Sequence, residues 1–148
     1  MPVDCDLDPV ALRSARICAG LTQHELARII GVAGGERISR WELGTSAPRP
    51  EMLHRLAEVL GLGVDDLLVR TDRPVDLRRL RTAAGLSARD LAARAHLSVP
   101  TYVRWESGRM ERLPAGPALT LLAAALDATV DDVQAALVAT RANARRFD

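Results

Sequence analysis

The chain of 148 residues contains no lysine; all 20 of its basic residues are arginine. Any cation it offers to an anionic partner is therefore a planar guanidinium fork and not a point-charge ammonium. Rings are scarce as well, with two Trp, one Tyr and one Phe in the whole sequence. Ala and Leu are abundant in their place, which favours helices over strands. No apolar run reaches the ~18 residues that a membrane-spanning helix needs. Residues 1–15 are acidic and lack the apolar core of a secretory signal, so a cytoplasmic protein is expected. Cys5 and Cys18 have no metal-ligand spacing, and free thiols are expected of them. There is no nucleophile–base–acid set, no Gly-rich phosphate loop and no metal cluster, and His24, His54 and His96 are scattered. Neither an enzyme nor a cofactor is expected on that evidence.

What the chain does have is one pattern written twice. Leu12-Arg13-x-x-Arg16-x-x-x-Gly20-Leu21-Thr22-x-x-Glu25-Leu26-Ala27 returns 65 positions later as Leu77-Arg78-x-x-Arg81-x-x-x-Gly85-Leu86-Ser87-x-x-Asp90-Leu91-Ala92. Arg40-Trp41-Glu42-x-Gly44 returns at an offset of 64, and Val64-Asp65-Asp66-Leu67 at 66 as Val130-Asp131-Asp132-Val133. A match of this length, in one order with slips of one residue, marks a tandem repeat. Domains are expected at 1–70 and 74–148 around a linker at 71–73. Even the five residues from Arg70 to Pro74 span at most roughly 18 Å when extended. Charge is divided unevenly between the copies. Residues 1–72 hold eight arginines against eleven carboxylates, a net of −3, and residues 73–148 hold twelve against eight, a net of +4.

Each copy reads as a string of short helices. In the first, Asp8 and Pro9 start a helix over 9–19 that Gly20 stops. Thr22-x-x-Glu25 is a capping box opening a helix over 23–30, with Leu26, Ala27, Ile29 and Ile30 as its buried side. Further helices are expected at 36–43, 51–60 (Leu53, Leu56, Ala57 and Leu60 inward) and 65–69. The second copy gives 75–84, 88–95, 99–107, 118–126 and 131 to about 144, with Ser87-x-x-Asp90 as a shortened cap.

Together, Arg-x-x-x-Gly-Leu-[Thr/Ser]-Gln-x-Glu-Leu-Ala, Gly31-Val32 and Ile38-Ser39-Arg40-Trp41-Glu42-x-Gly44 resemble the lambda-repressor-like (Cro/XRE-type) helix-turn-helix family. The resemblance covers roughly residues 9–69 and 74–138. It implies an all-α protein of two tandem five-helix domains with an extended C-terminal helix. It further implies that the third helix of each domain lies in the major groove of double-stranded DNA. Periodicity is compatible with that role, because Ile38 and Trp41 can point inward while Glu36, Arg37, Ser39 and Arg40 point out. In the second copy Tyr102 and Trp105 take the inward positions and Thr101, Val103 and Arg104 the outer ones. Both Trp residues are expected to pack and not to stack on bases. The resemblance makes Arg16–Glu42 and Arg81–Glu106 structural ion pairs, and Gln23 a phosphate contact. Ala88 stands in the place of Gln23 in copy two, with Arg89 beside it. Arg49, Arg109 and Arg112 fall in the loop where the family touches the DNA backbone.

The copies depart from the pattern differently. Copy one carries one extra residue before its third helix, and Gly34-Gly35 there either loosens the helix start or lets the backbone approach a phosphate. Glu36 can accept from cytosine N4, but Arg37 and Arg40 are the better readers of guanine. In copy two, Ser98 can cap the helix, Val99, Thr101 and Val103 can touch thymine methyls, and Arg104 is the main polar reader. Its loop after the third helix is two residues longer. The two copies are thus not expected to read the same half-site. The last helix carries Val133, Leu137 and Thr140 or Arg141 along one stripe, which suits either a partner surface or packing on copy one. Arg141, Arg145 and Arg146 can add nonspecific attraction to phosphate. The leading expectation is a bacterial, homodimeric, nucleoid-associated, sequence-specific transcriptional regulator. The alternative is a protein-interaction module, antitoxin-like or co-regulatory, favoured by the net charge of +1 and by Glu36.

Overall fold

The computed structural model describes residues 7–70 and 72–146, which divide into two compact units, Met1–Arg70 and Thr71–Asp148. Among the described residues the regular structure is helical, apart from one antiparallel bridge between Leu7 and Leu68. Cys18 is exposed, and Cys5 lies outside the described residues.

The first unit runs α1 (Pro9–Cys18), α2 (Gln23–Ile30), α3 (Gly35–Leu43), α4 (Pro50–Leu60) and a 3-10 turn, Val64–Leu67. Local chemistry sets these boundaries. Asp8 accepts from the Val10 and Ala11 N–H groups at 3.0 and 3.3 Å, and Pro9 follows it at the first helical position. Thr22 and Glu25 form the reciprocal capping box, at 3.1 and 2.8 Å. The core joins Leu12, Leu26, Ile30, Ile38, Trp41, Leu53, Leu56 and Leu67. Ile29, expected among the buried residues of α2, is 52% exposed. Its neighbours Leu26, Ala27 and Ile30 already fill the inward arc, and Ile29 falls beside it. Where a fifth α-helix was expected over 65–69, only a 3-10 turn forms. Leu68 turns extended and bridges Leu7, and the Asp8 N–H donates to the Leu67 carbonyl at 2.8 Å, closing the unit on itself.

The second unit runs α5 (Leu77–Ala83), α6 (Ala88–Arg94), α7 (Val99–Glu106), α8 (Gly116–Leu126) and α9 (Val130–Ala144). α5 begins two residues later than Val75 because Asp76 caps it, accepting from the Arg79 N–H at 2.9 Å. Tyr102 replaces Ile38 at the centre of the core, beside Leu77, Leu91, Leu122, Val133 and Leu137. Two left-handed positions filled by glycine in the first unit, Gly31 and Gly61, are filled here by His96 (φ 56°) and Asp127 (φ 51°).

The stripe on α9 belongs to this unit's own interior. Val133 and Leu137 lie in its core, and α9 packs on α5, α7 and α8. The Thr140 hydroxyl accepts from the buried Leu77 N–H at 2.9 Å and donates to the Ala136 carbonyl at 2.8 Å. Further along, a Cβ added at Gly108 would come within 2.5 Å of Ala144 Cβ, so the end of α9 lies against the turn after α7. The expectation of a partner surface along Val133, Leu137 and Thr140 is therefore corrected: those side chains are buried within the second unit.

Candidate nucleic-acid interface

A charged pair ties the first helix of each unit to its third. Arg16 meets Glu42 through two bonds, Nε–Oε1 at 2.5 Å and Nη2–Oε2 at 3.2 Å, and its Nη1 donates to the Leu21 carbonyl at 2.8 Å. Arg81 repeats this with Glu106 at 2.9 and 2.6 Å and with the Leu86 carbonyl at 3.0 Å. Exposure of the Arg16 and Glu42 side chains is only 11% and 4%. Such a fork fixes direction as well as distance, so it holds α3 against α1 and sets the outer face of α3. Burial alone raises the Glu42 carboxyl. The bonds from Arg16 and Gln23, with the charges of Arg16 and Arg13, outweigh it and hold the group below its ordinary 4.5. In the second unit, burial opposes the Arg81 charge, but the bond and field of Glu106 outweigh that cost and keep the guanidinium firmly protonated. The Tyr102 hydroxyl is buried beside this pair without a well-formed hydrogen bond. Burial, followed by the field of Glu106, pushes it far above its usual range, so it stays neutral.

With Ile38 and Trp41 buried, α3 presents Glu36, Arg37 and Arg40 to solvent, while Ser39 is half-buried. Gln23, at the first position of α2, donates from Nε2 to Glu42 at 2.8 Å. Its amide is thereby held at the helix start, with a second N–H left over for a phosphate. The extra residue before α3 is absorbed at Gly34, whose φ of 91° and ψ of 164° belong to a region open essentially to glycine alone. Gly35 serves a different end. A Cβ there would lie 3.1 Å from the His24 nitrogen and 3.3 Å from the Gln23 carbonyl carbon. The starts of α2 and α3 thus meet backbone to backbone. Gly35 brings together two positive helix ends, a setting that favours an anion.

The matching face in the second unit is plainer. Ser98 caps α7, and its hydroxyl also donates to Thr101 Oγ1 at 2.7 Å, so these two side chains are engaged with each other. Thr101 is half-buried; Val99, Val103 and Arg104 are exposed, the two valines at 41% and 48%. Elsewhere in this unit Arg89, Arg109, Arg112, Arg145 and Arg146 are exposed, and Arg141 is half-buried.

Arg37, Arg40 and Arg49 come together on the wall of one cleft, between α3, the loop after it and α4. Arg55 of α4 joins them, and its Nη1 donates to the Ile30 carbonyl at 3.0 Å. Sequence reading missed Arg55, because in a helix with Leu53, Leu56 and Ala57 inward it looks like any solvated residue.

No helix among the described residues is long and apolar enough to cross a membrane. No curated protein and no solved structure matches the chain significantly. A family profile does match, and it does so twice, over residues 12–67 and 77–133. The first match runs from within α1 to the end of the 3-10 turn, and the second from the start of α5 into the first turn of α9, so most of α9 lies beyond it. The chain belongs to the Cro/C1-type helix-turn-helix family, a DNA-binding family, and carries two tandem copies of its domain.

Proposed function

We propose that this chain is a bacterial, sequence-specific transcriptional regulator that binds double-stranded DNA as a homodimer, at the nucleoid in the cytoplasm, and that acts by binding and not by catalysis. The observation that carries the reading is the face of α3. Ile38 and Trp41 anchor the helix, and Glu36, Arg37 and Arg40 are left free for base edges. Gln23 and the paired starts of α2 and α3 supply phosphate contacts that set register, as do Arg49 in the loop and Arg89, Arg109 and Arg112 of the second domain. In that domain Val99 and Val103 meet thymine methyls and Arg104 a guanine.

Selection from a random duplex pool at two salt concentrations tests this. Two unlike half-sites mean that both domains read; a palindrome means that one reads and the other pairs the chains. No enrichment at either salt removes the proposal. A second reading, a domain that holds a protein partner, is favoured by one observation. The outer face of α7 carries two exposed valines and a single cation, Arg104. Under that reading the first domain alone enriches a motif.

A further inference from the structure

We infer that the first domain binds a small organic anion, one with an oxyanion head and an apolar body, in the cleft between α3 and α4. The cleft measures about 490 Å³, inside the range of about 300–1,000 Å³ that small-molecule sites occupy. Arg37, Arg40, Arg49 and Arg55 line it, opposed by one carboxylate, Glu51. All four arginines are exposed, and the Arg55 guanidinium is steadied on the wall by its bond to Ile30. Guanidinium groups recognise carboxylate and phosphate through paired donors. The floor is of another kind, made by the open edges of the buried Trp41 and Pro48 and by the half-buried Met52. A bare phosphate has no use for such a floor, whereas a ligand with a hydrophobic body covers it and takes it out of water.

The second domain serves as an internal comparison. Its helices match those of the first at an offset of 64 for α3 and α7 and 66 for α4 and α8. On that register Arg37, Arg49 and Arg55 correspond to Thr101, Ala115 and Leu121, and only Arg40 keeps its arginine, Arg104. The same fold forms without the other three cations, of which only Arg55 has a bond to the backbone, at the Ile30 carbonyl. Glu51 and Met52 are likewise replaced, by Pro117 and Ala118.

Arg37 and Arg40 lie both on this cleft and on the face assigned to base reading. A ligand that draws their guanidiniums toward α4 takes them from the groove, so ligand and duplex compete. That consequence rests on the DNA-reading proposal; the anion site itself does not.

The test uses the full ¹⁵N-labelled chain without DNA, titrated with 1-naphthyl phosphate, inorganic phosphate and 1-naphthol. Shifts are expected at the Trp41 indole N–H and the amides of residues 46–55, with Trp105 and residues 109–121 unmoved. Naphthyl phosphate is expected to saturate at a concentration at least tenfold lower than either control. Arg55→Met and Met52→Glu should each weaken it at least tenfold, with thermal unfolding to check the fold; if Met52→Glu unfolds, Arg55→Met carries the comparison. The absence of saturable shifts, equal shifts in both domains, or inorganic phosphate binding as tightly each overturns the site. Displacement of a selected duplex by naphthyl phosphate then reads the competition. If the protein binds no duplex, only the competition falls, and the titration still decides the site.

Discussion

Replacing Glu42 with Ala tests how the first domain holds α3 against α1. The substitution strands the Arg16 guanidinium, whose side chain is 11% exposed, with only the Leu21 carbonyl as partner, and it takes the acceptor from Gln23 Nε2. Removing one member of a largely buried, bidentate pair costs about 3–5 kcal/mol. In a domain of this size each kcal/mol moves the midpoint by about 4–8 °C, so the transition should fall by at least about 12 °C. Trp41 fluorescence in a Trp105→Phe background follows the first domain alone. The double variant Arg16→Met, Glu42→Leu should recover most of the loss, because it removes both charges and leaves apolar groups of similar bulk. Acid should act as the single variant does. Glu42 is held below its ordinary 4.5, so its contribution is complete above that value and is lost as pH falls through the lowered folded-state value. Glu42→Gln should flatten that acid limb. A cost below about 1 kcal/mol for Glu42→Ala, or a double variant as damaged as the single, would show that the pair does not hold α3.

Three further expectations concern single positions. Gly34→Ala should cost about 1–3 kcal/mol in urea unfolding of the first domain, since its backbone region is essentially closed to other residues; an unchanged midpoint contradicts the turn described above. His96→Gly should stabilise the second domain by up to about 1 kcal/mol, as relief of the left-handed conformation outweighs the added chain entropy. A destabilised His96→Gly would mean that its side chain is held by contacts outweighing the strain. Thr140→Val should cost about 1–3 kcal/mol, because the buried Leu77 N–H loses its acceptor; hydrogen exchange at Leu77 checks this directly, and unaltered protection refutes it.

Helix starts were legible because their signals are local. Thr22 with Glu25, Asp8 with Pro9, and Ser98 act within four residues of themselves, and α2 begins at the expected residue. What the sequence hid depends on residues far apart in the chain. The 3-10 turn at Val64–Leu67 reflects the bridge from Leu68 to Leu7. Gly35 looked like a source of looseness or a phosphate approach, and it is where α3 touches the backbone of α2. Its partners, Gln23 and His24, sit twelve and eleven positions earlier, so no local pattern announces them. Periodicity placed Val133 and Leu137 on one stripe but could not say what covered it; α5, through Leu77, does so from 63 residues before Thr140. The resemblance offered Arg49 as a loop contact to the DNA backbone, whereas Arg55 was visible only as an arginine; it is the turn of the chain between α3 and α4 that gathers both beside Arg37 and Arg40.

On the proposed function, α3 of the first domain reads base edges through Arg37 and Arg40. Guanine-N7 methylation interference on a selected duplex measures this most directly, run with the intact chain and with Arg40→Ala. The prediction is strong interference at one or two guanines in one half-site, lost in Arg40→Ala together with about 1–3 kcal/mol of affinity for that duplex but little for random DNA. No interference, or a loss that is equal on selected and random duplexes, would place Arg40 on phosphate and contradict the assignment of α3 as the reader.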